Sequence, residues 1–132
     1  MTNVIAVYTG VLAAIFLVLS VRTIKGRILH KVALGDGNVP DMRARVRAHG
    51  NFAEYVPICL LLMWLLASQG YSAWVIHVLG IVLVVARVLH PFGVAIPRSP
   101  NPARLVGATG SLLVLGAGAL LVLLNAVAGV KF

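Results

Sequence analysis

Four stretches of mostly apolar residues, each about long enough to cross a lipid bilayer, leave this chain few ways to fold: about Val4 to Val21, Phe52 to Ala67, Ala73 to Leu89 and Leu105 to Val130. A helix needs roughly 20 such residues to span the hydrocarbon layer. In 132 residues little remains besides two short loops and one tight turn. With 61% hydrophobic residues and a mean hydropathy of +1.02, the chain carries more apolar surface than one small soluble core can hide. The expected fold is an all-α integral membrane protein, a single four-helix domain over residues 1–132. Its spans are expected at about 4–22, 41–68 (with 52–68 embedded), 72–90 and 102–130.

The first stretch has no basic residue ahead of its apolar run and no small-residue cleavage pattern before Arg22, so it is expected to stay as the first span rather than serve as a signal peptide. Eleven Lys and Arg against three Asp and Glu give a net charge of +8. In a soluble chain that excess would suggest nucleic acid, but its position excludes that reading. Arg22, Lys25, Arg27, Lys31, Arg43, Arg45 and Arg47 lie between the first two apolar stretches or at their ends, and Arg98 and Arg104 lie near the third connection. Lys131 alone lies beyond the other face. The positive-inside rule then places both termini outside and the basic loops in the cytoplasm.

Residues 32–40 (VALGDGNVP) have the composition of a loop, and Pro40 with Asp41 suits a helix start. One long helix is expected from there to about Ser68, kinked at Pro57, which cannot donate to the Ala53 carbonyl. Gln69, Gly70 and Tyr71 leave room only for a tight turn, so spans two and three form a hairpin, with Trp64, Tyr71 and Trp74 as an interfacial aromatic belt. Pro91, Pro97, Pro100 and Pro102 crowd the third connection, which is expected to be non-helical until Asn101 caps the fourth span. That span is rich in Gly and Ala, which let helices approach closely in lipid. Cys59 reads as a packed small hydrophobe, His77 as a packed interfacial residue, and Asn125 as an interhelical hydrogen-bonding group.

At 100 degrees per residue, Arg43, Arg47, Asn51 and Glu54 fall within about 80 degrees on the second helix, with Tyr55 at the edge. A solvated helix face accounts for Arg43 and Arg45. Asn51 and Glu54, however, lead into an apolar run, where an acid at the bilayer centre costs roughly 2.5 to 3.5 kcal/mol and needs a partner. Arg87 and His90, three apart, share a face at the end of span three. Alternating topology brings Arg22, Arg47 to Glu54, Arg87 with His90, and Arg104 to one membrane level. Such a ring suits an anionic, peptide-like ligand whose carboxylates meet arginine and whose ammonium meets Glu54. The alternative is internal salt bridging, which the excess of Arg over Glu leaves incomplete.

The run from Arg47 to Pro57 (RAHGNFAEYVP) resembles the second-helix signature of the MAPEG family, the membrane-associated proteins of eicosanoid and glutathione metabolism. The likeness extends over nearly the whole chain, through the basic first loop, Arg87, His90 and Arg104, and is nearest to bacterial-type members. It implies a homotrimer of four-helix subunits in a bacterial inner membrane, binding glutathione as co-substrate between subunits near the cytoplasmic face. By the same resemblance Arg47, Asn51, Glu54, Tyr55, Arg87 and His90 match glutathione-binding positions. Arg104 matches the arginine that stabilises the thiolate, and Arg22 matches a second catalytic arginine of some relatives. Val94 stands where several relatives place a tyrosine, and Gly50 where some have a larger residue.

The reading that results is a membrane-bound glutathione transferase of the transferase/peroxidase type, attacking a hydrophobic electrophile or lipid hydroperoxide, with no metal and no prosthetic group. A non-catalytic lipid- or thiol-binding scaffold is one alternative. A small multidrug transporter is another, but there a lone acid amid aromatics is expected, whereas Glu54 follows Arg47 and Asn51 at helical spacing.

Overall fold

The computed structural model describes residues 2–95 and 101–129. Four helices follow one another: α1 (Thr2–His30), α2 (Pro40–Ser68), α3 (Ala73–Ala95) and α4 (Pro102–Ala128). Each is long and apolar enough to cross a membrane. Large apolar side chains such as Val7, Leu17, Leu113 and Leu123 face outward and are exposed, as expected where lipid is the solvent. Arg98 and Lys131, used above to orient the chain, lie outside the described residues, as do Pro97, Pro100 and the end of the fourth span at Val130.

Helices α2 and α3 form the centre; α1 packs on both, and α4 packs on both from the other side without meeting α1 among the described residues. Glycines set the spacing. A Cβ on Gly107 would lie 2.6 Å from the His90 Cβ, and one on Gly110 2.8 Å from the Ala86 Cβ, so the first turns of α4 lie directly on α3. On the other flank Gly80 receives the Tyr8 ring, whose hydroxyl bonds His77 Nδ1 at 2.8 Å. Ser20 Oγ meets His49 Nε2 at 3.1 Å, and Phe16 stacks on His49 and Phe52, tying α1 to α2. Cys59 is buried, its thiol 4.0 Å from the Ser111 carbonyl.

Helix α1 continues past Arg22 to His30. Two local expectations are corrected. Helix α3 does not give way at Pro91 but runs through it to Ala95; membrane helices tolerate proline where packed neighbours take up the freed backbone groups, and Pro91 is buried. Tyr71 does not face outward with the two tryptophans: it is 1% exposed and donates its hydroxyl to the Leu121 carbonyl at 2.9 Å, whereas Trp64 and Trp74 are 53% and 73% exposed. Helix α2 starts with Pro40 in its first turn and continues through Pro57. Asn101 caps α4, its side chain accepting from the Arg104 backbone N–H at 3.3 Å.

Candidate functional site: a basic cleft between helices two, three and four

Arg43, Arg47 and Asn51 recur at intervals of four on α2 and so project from one face. Opposite them stand His90, then Val94 on the turn that α3 adds beyond Pro91, and Arg104 from the first turn of α4. Together with Pro40, Ala44 and Ala108 they line a cleft of about 460 Å³.

The position of Arg104 follows from two sequence features. The Asn101 cap and Pro102 fix where α4 begins. Gly93 lacks a side chain where a Cβ would run into the Arg104 backbone, which presses the start of α4 onto α3. The cleft thus receives both a guanidinium and the positive end of a helix dipole.

Asn51 is fixed from behind. Arg87, 1% exposed, donates from Nη1 to Asn51 Oδ1 at 2.8 Å and from Nη2 to the Gly107 carbonyl at 2.6 Å. With its oxygen committed, Asn51 keeps its NH2 group to donate into the cleft.

Two of the chain's three acids are paired within the first loop and the start of α2. Asp36 pairs with Arg43 at 2.6 Å; Asp41 pairs with Arg45 at 2.8 Å and His30 at 2.8 Å. Among the described residues no carboxylate lies within salt-bridge distance of Arg47 or Arg104. Internal pairing therefore neutralises Arg43 and Arg45 and leaves the rest of the cleft positive. Arg43, read from the sequence as part of a solvated face, also lines the cleft; its spacing of four from Arg47 was the available signal.

The other residues singled out in the sequence are placed differently. Arg87 lies behind the cleft wall rather than in it. Glu54 and Tyr55 are outside it: Glu54 is exposed on α2, its Oε1 4.0 Å from where a Cβ on Gly50 would lie, and it pairs with no cation of its own chain among the described residues. Arg22 is not brought to Arg104; it is exposed at the end of a separate groove between α1 and α3.

Fold and cleft together define a small integral membrane protein of four helices with a basic, hydrogen-bonding cleft at one end of the bundle. The sequence profile of the MAPEG family matches residues 5–124, and the chain belongs to that family. Over 88 residues it is 34% identical to inner membrane protein YecN of Escherichia coli strain K12, covering 67% of each chain. It is equally similar to the YecN protein of Escherichia coli O6:H1.

Proposed function

We propose that this chain is a glutathione transferase of the inner membrane, acting as a homotrimer with its site toward the cytoplasm and both termini outside. The observation that carries the reading is the convergence of Arg47, Asn51, His90 and Arg104 on one cleft in which Arg47 and Arg104 lack a carboxylate partner among the described residues. Glutathione supplies what such a cleft lacks: two carboxylates for arginine and amide carbonyls for the Asn51 NH2 group.

Its remaining charge, an ammonium, needs an acid. Glu54 is exposed one turn below Asn51 on α2, at a depth where an unpaired carboxylate is costly. In a trimer a site between copies would bring the Glu54 and Tyr55 of one chain to the cleft of the next.

Arg104 then has a chemical task. A free thiol has a pKa of about 8.5, which an adjacent cation lowers, each unit being worth roughly 1.4 kcal/mol. The thiol proton leaves to water, the thiolate is held against the guanidinium and the first turn of α4, and its sulfur attacks the ring carbon of an activated aryl halide, forming the C–S bond as the C–halogen bond breaks and the halide leaves to solvent with the bonding pair. The reaction is favoured by holding both partners in line in a desolvated site.

Conjugation of a generic aromatic electrophile by the purified protein tests this. Arg104→Ala should lower kcat by about 100-fold, the scale of losing one charge-stabilising group. Wild-type protein that binds glutathione but gives no conjugate would favour the second reading, a non-catalytic scaffold. Val94 supports that alternative, since it lines the cleft where several relatives present a tyrosine hydroxyl.

A further inference from the structure

A second concavity lies on the other flank of the bundle. Ala14, Ile15 and Val18 of α1 face Val88 and Phe92 of α3 across an apolar groove of about 300 Å³, with Arg22 at one end and Arg87 on its wall. The groove has almost no polar lining apart from these two arginines. Arg22 is exposed, and among the described residues its side chain has no carboxylate within salt-bridge distance; the nearby Asp41 is taken by His30 and Arg45. Arg87 is buried, and its Nε has no hydrogen-bond partner among the described residues.

The depth of Arg22 follows from helix geometry. Thr2 to Arg22 spans about 30 Å at 1.5 Å per residue, which matches the hydrocarbon thickness. Arg22 is the first charged residue after the apolar run from Val4 to Val21, which suits the edge of the hydrocarbon with its guanidinium reaching toward the lipid phosphates, while the groove beside Ala14 and Val18 suits acyl chains. Beyond it, α1 continues to His30 with Ile24, Ile28 and Leu29 exposed beside Lys25, a surface suited to the headgroup boundary.

We infer that the groove between α1 and α3 binds an anionic phospholipid, one acyl chain lying along Ala14, Val18, Val88 and Phe92 and the phosphate paired with Arg22. Basic pockets between membrane helices on the cytoplasmic side bind anionic headgroups in this way. Charge complementarity selects the occupant: an apolar slot closed at the phosphate level by an unpaired guanidinium favours a lipid with net negative charge over a zwitterion whose choline would approach Arg22. This site is separate from the Arg47–Arg104 cleft and does not depend on the transferase reading.

Native mass spectrometry of the full chain in mild detergent, with phosphatidylglycerol or phosphatidylcholine of matched acyl chains, tests it. Wild type should retain phosphatidylglycerol about fivefold more than phosphatidylcholine, the scale of one interfacial arginine. Arg22→Gln should remove the preference, and Ala14→Phe, which fills the groove without touching charge, should reduce retention of the lipid. Arg104→Gln should leave the preference intact. Equal retention of both lipids by wild type, a preference that survives both groove variants, or one that disappears only in Arg104→Gln would overturn the inference. Failure to retain either lipid, as when a second copy covers the groove, would overturn it too.

Discussion

Arg87 and Asn51 are joined by a 2.8 Å hydrogen bond between α3 and α2, and the same guanidinium reaches the Gly107 carbonyl on α4. One buried side chain thus ties three helices behind the cleft and orients the amide that faces into it. Replacing Arg87 with Leu would remove both bonds and leave Asn51 free to turn. Hydrogen bonds to charged groups are worth about 1.5–3 kcal/mol in water-soluble proteins and polar contacts in membranes about 0.6–2. We expect Arg87→Leu to lose about 1–3 kcal/mol of stability by these scales, measured by unfolding in mixed detergent micelles, and to weaken ligand binding as well. Arg87→Lys should not rescue it, because a single ammonium cannot reproduce the two-pronged geometry.

The close approach of α3 and α4 gives a test of how Arg104 is positioned. A methyl at Gly93 would collide with the Arg104 backbone, whereas one at Gly116 would meet nothing within 4 Å. Gly93→Ala should destabilise by about 1–3 kcal/mol, the usual cost of overpacking, and displace Arg104 from the cleft. Gly116→Ala should match wild type in thermal stability and ligand affinity. Equal behaviour of the two variants would refute the packing argument.

The first loop carries a pH dependence of known sign. The Arg43 guanidinium bonded to Asp36, helped by the Asn38 backbone N–H, holds the Asp36 carboxyl below the usual carboxylate range. A carboxyl with a depressed pKa in the folded state adds stability above its unfolded pKa of about 3.9 and loses it as the pH falls through the lower folded value. Amide exchange across residues 32–39 should accelerate in that acidic window in wild type. In Asp36→Asn the loop should exchange faster at neutral pH and respond less to acid.

Much of this architecture can be read from the chain alone. Four spans follow from length and hydropathy, and the starts of α2 and α4 from Pro40 and from Asn101 with Pro102. The misses share one cause: tertiary packing overrides local signals. Pro91 marks a helix end in isolation, yet in the bundle it is buried, and Gly93 beyond it makes the bed for α4. Tyr71 has the chemistry of an interfacial residue, but its hydroxyl finds the Leu121 carbonyl. The helical wheel groups Glu54 with Arg43, Arg47 and Asn51 correctly by angle. It cannot say that the cleft takes in Asn51 while Glu54, one turn deeper, remains outside it on the exposed surface.

That placement leads to a complementation experiment. If Glu54 of one copy and Arg104 of another complete each site, Glu54→Ala and Arg104→Ala chains should each be inactive alone. Co-expressed and purified as mixed trimers, they should regain part of the conjugating activity, because some sites then combine an intact Glu54 with an intact Arg104. A mixture no more active than its components would place both residues in sites built from one chain.

Whether the basic cleft holds glutathione is decided by calorimetric titration of the tripeptide into the detergent-solubilised protein, comparing wild type with Arg47→Ala and with the remote Gly116→Ala. Saturable binding is expected for wild type and Gly116→Ala, weakened about 10- to 100-fold in Arg47→Ala by loss of a charge-assisted contact. Absence of binding to wild type, or equal affinity in Arg47→Ala, would contradict the proposed site and leave the cleft to a different anion.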